Sequence, residues 1–84
     1  MNTMFLLMAE FETSDIPLEK IAEKYLGISP ELANRKANAG KLKIPSYRAV
    51  DSNKAPRLVH VKDLADYLDG RRAAAREEFK QVNS

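Results

Sequence analysis

Seven basic residues lie between Ser29 and Val61: Arg35, Lys36, Lys41, Lys43, Arg48, Lys54 and Arg57, against two acids, Glu31 and Asp51. Their chemistry is phosphate recognition. Ammonium and guanidinium groups gathered on one surface neutralise phosphodiesters, and arginine and asparagine can also make bidentate hydrogen bonds to base edges. The flanks lack this bias. Residues 1–28 carry two lysines against five acids, and residues 62–84 carry five of each sign. The formal net charge of +2 therefore conceals a central excess of five positive charges. Such a footprint is that of a nucleic-acid-binding surface.

Other chemistries find little support. The chain has no cysteine and a single histidine, His60, so neither a disulfide nor a zinc site is expected. Ser14 with Asp15, and Ser29 with Glu31, read as helix starts rather than as catalytic pairs. The glycines at 27, 40 and 70 are scattered and form no phosphate-cradling loop. No enzyme activity, metal or cofactor is expected. The longest apolar run, Met4 to Ala9, is too short to span a bilayer and lacks a basic leader. A cytoplasmic protein without a membrane partner, working at the nucleoid, is the expectation.

The elements that must position these residues follow from caps and periodicity. Residues 3–11 form a first helix, capped by Asn2 or Thr3. The run is apolar on every side, so periodicity leaves helix or strand open, and the lack of β-branched residues favours helix. Pro17 suits a first helical turn, and Leu18, Ile21, Ala22 and Tyr25 recur on one helical stripe. Gly27 is a left-handed stop. Ser29 caps a further helix, opened by Pro30, that runs from Pro30 to Ala39 and stops at Gly40. Two helices separated by the short turn Gly27-Ile28-Ser29 make a helix-turn-helix over residues 17–40. At ~100° per residue, Glu31, Asn34, Arg35, Asn38 and Lys41 fall within one arc of the second helix. Lys36 falls in the apolar arc, where its stem can run along the helix to a solvated end.

Residues 46–61 read as two short strands, Ser46 to Val50 and Leu58 to Val61, around the polar turn Asp51 to Arg57: a candidate wing. A last helix over residues 62–82 carries Leu64, Leu68, Ala75, Phe79 and Val82. Gly70 is expected to bend or break it. The fold class is mainly α with a short β-hairpin, a winged helix-turn-helix forming one DNA-binding domain. Asn34, Arg35 and Asn38 are the candidate base contacts. Lys36, Lys41, Lys43, Arg48, Lys54 and Arg57 are the candidate phosphate contacts. A domain this small gains from association, so Ala75, Phe79 and Val82 are candidate contacts of a homodimer.

The chain also resembles the PrtN-type pyocin activators, small bacterial and prophage transcription factors. The resemblance runs through Asn2-Thr3-x-Phe5-Leu6-Leu7-Met8-Ala9, Ile16-Pro17-Leu18-Glu19, Arg35-Lys36-x-x-Ala39-Gly40 and Pro45. It continues through Asp51-Ser52-x-Lys54-Ala55-Pro56 and Val59-His60-Val61-x-Asp63-Leu64-Ala65-x-Tyr67-Leu68-Asp69 to Arg71-Arg72-Ala73-Ala74-Ala75. It implies a sequence-specific, DNA-binding activator of bacteriocin or prophage genes, with a shape akin to excisionase-like and MerR-like winged helices. Asn34 and Asn38 stand where relatives are more apolar, so those positions read a different operator or touch no base. The expected partners are double-stranded DNA, a second copy, and RNA polymerase at the acidic faces around Glu19 and Glu23 or at the last helix. The alternatives are an excisionase-like protein that bends DNA for a recombinase, and a phage adaptor that binds only protein.

Overall fold

The computed structural model describes residues 2–83. Helix α1 spans Thr3–Phe11, with the Asn2 side chain accepting the Met4 N–H at 2.7 Å. This cap resolves the helix-or-strand ambiguity by satisfying a donor that only a helix start orphans. Leu7 is buried, Met4 and Phe11 pack at the edge of the core, and Phe5, Leu6 and Met8 face outward. Thr3 donates to Asp69 at 2.7 Å, fixing the start of α1 against the last helix.

Strand β1, Asp15–Pro17, was not expected; the sequence reads there as loop and helix start. Ile16 is fully buried and pairs with Val59 in the sheet. Pro17 has φ −56° and ψ 131° and stands just before the helix rather than in its first turn. Proline fixes φ at a value that suits both places, and the strand pairing selects the extended ψ. Helix α2, Leu18–Ile21, continues as a π-helical segment, Ala22–Leu26, and Gly27 closes it at φ 69°. Leu18, Ile21 and Ala22 are buried. Across the turn, Ser29 accepts the Leu32 N–H at 3.1 Å and Pro30 opens helix α3, Pro30–Asn38. Gly40, at φ 70°, follows its end.

Strands β2, Tyr47–Arg48, and β3, Arg57–His60, complete an antiparallel sheet of order β1-β3-β2. The expected hairpin is thus part of a three-stranded sheet; its first strand is two residues long where the sequence suggests five, and its second keeps four residues but starts and ends one earlier. Val61 belongs to helix α4, Val61–Val82. His60 ends β3 and also caps α4, its Nδ1 accepting the Lys62 N–H at 3.1 Å. The largest fully buried side chains, Ile16, Leu18, Ile21, Val59, Val61 and Leu64, come from β1, α2, β3 and α4. The protein is mainly helical around this small sheet.

The break expected at Gly70 does not occur: α4 runs through it as one helix of 22 residues. A Cβ at Gly70 would meet nothing within 4 Å, so no packing requirement holds the glycine there. Gly70→Ala is expected to raise stability by about 0.5–1 kcal/mol, by the helix propensity gained and the unfolded-state entropy removed. Thermal unfolding checks this.

Residues 69–82 of α4 are all exposed. The radius of gyration, 14.4 Å, exceeds the ~12 Å of a compact chain of this length, because α4 projects beyond the core. Phe79 and Val82 on the projection are 68% and 82% exposed.

Candidate nucleic-acid interface

The caps of α3 set which side faces out. Ala33 is buried and Leu32, Lys36 and Ala37 are half-buried, whereas Glu31, Asn34, Arg35 and Asn38 are exposed. The polar arc therefore points to solvent, with Asn38 and Glu31 near its middle and Arg35 at its edge toward Leu32 and Lys36.

On one side of this arc stands the β2–β3 hairpin. Arg48 and Arg57 lie opposite each other in register. The Arg57 Nε and Nη2 donate to Asn38 Oδ1 at 3.2 and 2.9 Å, and Arg48 Nη2 donates to the same oxygen at 3.4 Å. Arg57 Nη1 also donates to Ser46 Oγ at 3.1 Å, and Arg48 Nε to the Ala55 carbonyl at 3.2 Å. Asn34, Asn38, Arg48, Asn53, Lys54 and Arg57 line a hollow of about 380 Å³. Glu19 is at the same hollow, so this acid lies beside the basic surface and not on a separate face.

On the other side, Lys36, Lys41 and Lys43 surround a hollow of about 120 Å³ with Leu26, Ile28, Leu42 and Tyr67. Lys36 thus runs over apolar neighbours, as its place on the helix suggests. The six candidate phosphate residues do not form one patch. They form two, with the exposed face of α3 between them. The ion pairs among the described residues are Lys24–Glu10, Lys62–Asp66 and Arg72–Asp69. None involves the seven basic residues of the central block.

Two polar clusters hold this surface in place. Tyr47 and Ser14 donate to the Asp15 carboxylate, the latter at 3.0 Å. These bonds hold the Asp15 carboxyl below its usual range, and the bond to Asp15 raises the Tyr47 phenol. The Tyr47–Asp15 bond spans from β2 to β1 across β3 and braces the sheet that carries Arg48 and Arg57. Between helices, Lys24 and Tyr25 donate to Glu10 at 2.8 and 2.6 Å. Glu10 is lowered, first by Lys24 and then by Tyr25, and Lys24 is raised by Glu10. Tyr25 is raised chiefly by burial.

A model of the pyocin activator protein PrtN family matches residues 3–75. The chain belongs to this family. The match covers α1 through the first two-thirds of α4 and includes every residue of the two basic groups. Phe79 and Val82 lie past it. No curated protein and no solved structure matches the chain. The PrtN family is one of activators, not an enzyme class, and carries a role in transcription activation. Among the described residues, no helix is long and apolar enough to cross a membrane.

The roles of Ser46, the Ala55 carbonyl and Asn38 as acceptors for the arginines are not readable from sequence. They depend on hairpin register, and the eight residues between Arg48 and Arg57 allow many registers. A shorter, typed turn would have paired the two arginines in advance.

Proposed function

We propose that this protein is a sequence-specific DNA-binding transcription activator, built as a winged helix-turn-helix, that acts in the cytoplasm on bacteriocin or prophage promoters. Helix α3 enters the major groove, which is wide enough to admit a helix. Asn34, Arg35 and Asn38 are on the face toward the bases. Lys36, Lys41 and Lys43 meet phosphates on one side, and Arg48, Lys54 and Arg57 meet them on the other. The observation that carries this reading is the pair of basic groups astride an exposed helix face, with no carboxylate among the described residues paired to any of them. Phosphate contacts of this kind position a protein while one helix reads sequence. Mapping bound sites across the host genome tests it. Enrichment at promoters is expected; a map with no enriched sites would overturn it.

We further propose that two copies bind together. A single small module buries only ~600–1,000 Å² on DNA, which is little for a genome-scale choice. Val61, Ala65 and Leu68 lie in or against the core, and the same four-and-three spacing continues through Arg72 to the exposed Ala75, Phe79 and Val82. A second copy of the projecting helix is the natural cover for that stripe. Phe79→Asp is expected to abolish self-association and cooperative DNA binding while leaving the melting temperature of the domain almost unchanged, because Phe79 is exposed. Light scattering beside circular dichroism measures both. RNA polymerase is the further partner of an activator. Glu19 lines the hollow beside Arg48 and Arg57, so the projecting part of α4 is the surface left for that partner.

A further inference from the structure

We infer that Asn38 is a positioning residue and not a base reader, and that it holds Arg48 and Arg57 as a preformed seat for one phosphate at the junction of α3 and the β2–β3 hairpin. The seat rests on the DNA-binding reading for the identity of its natural ligand, a backbone phosphodiester, but not for its geometry.

Three observations carry it. First, the Asn38 carbonyl oxygen accepts from Arg57 Nε, Arg57 Nη2 and Arg48 Nη2, more donors than its two lone pairs serve well. A side chain so engaged has no acceptor left for an adenine edge. Second, two like charges directly opposite on adjacent strands are destabilising, and Arg48 and Arg57 are both half-buried as residues, so the pair is less fully solvated than two free side chains. A carboxylate would relieve this cost. Glu19 and Asp51 line the adjoining hollows, yet neither is paired with either arginine. Third, the remaining bonds, to Ser46 Oγ and the Ala55 carbonyl, are to neutral acceptors. They fix the planes of the guanidiniums without cancelling their charge, and each guanidinium keeps N–H donors unused. Two oriented, uncompensated forks match a phosphate, which arginine binds in bidentate fashion. Because Asn38 belongs to α3, the seat also locks the hairpin to the helix that would read bases. An offset of the hairpin would then displace the phosphate grip and the helix together.

Substitution at Asn38 separates the possibilities. Asn38→Asp keeps shape and acceptors but adds a charge that pairs with both arginines. It is expected to leave the melting temperature equal or higher. It should weaken DNA binding at least tenfold and flatten the slope of log K against log salt by about one phosphate contact, ~0.9. Asn38→Ala is expected to weaken specific and non-specific DNA alike and to select the same binding motif as the parent. Parent-like affinity and slope in Asn38→Asp, or a motif relaxed at one base position in Asn38→Ala, would overturn the inference. A titration with inorganic phosphate, followed at the Nε–H resonances of Arg48 and Arg57, tests the seat apart from DNA. Saturable shifts in the parent that vanish in Asn38→Asp support the seat even if no DNA is bound, in which case only the DNA reading fails. Absence of shifts in the parent would sink the seat itself.

Discussion

Raising the salt from 50 to 200 mM is expected to weaken DNA binding by about a thousandfold. The six candidate phosphate residues are divided between two groups, and among the described residues none is paired with a carboxylate. Each phosphate they contact releases condensed counterions, and log K falls by about 0.9 per contact for each unit of log salt. Six contacts give a slope near −5. Single substitutions partition this effect. Lys43→Ala, from the group beside Tyr67, and Lys54→Ala, from the hairpin, should each flatten the slope by about one unit and weaken all sequences alike. Both lysines are exposed, so neither change should disturb folding. A slope near zero in the parent would mean that the basic block serves something other than phosphates.

Arg35→Ala is expected to have the second-largest effect, and on specificity rather than on general affinity. Arg35 is exposed on α3 at the edge of the polar arc, between Asn34 and Asn38 on the hairpin side and Lys36 on the other, and no ion pair occupies it among the described residues. An arginine so placed can grip guanine O6 and N7 with both arms of its fork, worth roughly 1–3 kcal/mol against the wrong base. Its loss should weaken the best site by about that amount and relax preference at one position. Non-specific binding should be largely intact. Selection from random DNA with parent and variant makes the comparison. An unchanged motif would assign Arg35 to a phosphate, and the register of α3 in the groove would have to be turned.

The local signals in the sequence were strong where a single residue type answers a single backbone need. Asn2, Ser29 and Pro30 start helices, and Gly27 and Gly40 adopt the left-handed conformation that ends them. The polar arc of α3 was legible because the caps fix its register. Strand β1 was not, since three residues with a proline at the end offer no period to read. Its existence depends on Ile16 finding Val59 more than forty residues later. The passage of α4 through Gly70 shows the same imbalance. One weak propensity, about 1 kcal/mol, is outweighed by a helix of 22 residues whose first half is anchored by Val61, Leu64 and Ala65. The charged residues of the site were legible as a set, because charge is counted without knowing contacts. Their division into two groups, the bonds of Asn38, and the place of Glu19 among them required the packing of α2, α3 and the hairpin.

The most direct test of the DNA-binding surface is a nuclear magnetic resonance titration of isotope-labelled protein with a short duplex carrying a selected site. Amide and side-chain shifts are expected at Asn34, Arg35 and Asn38, along Arg48 and Asn53 to Arg57, and at Lys36, Lys41 and Lys43, with α1 and the Phe79 stripe silent on a single half-site. Shifts confined to α1 or to the end of α4, or no shifts at saturating duplex and low salt, would contradict the assignment of this surface to DNA.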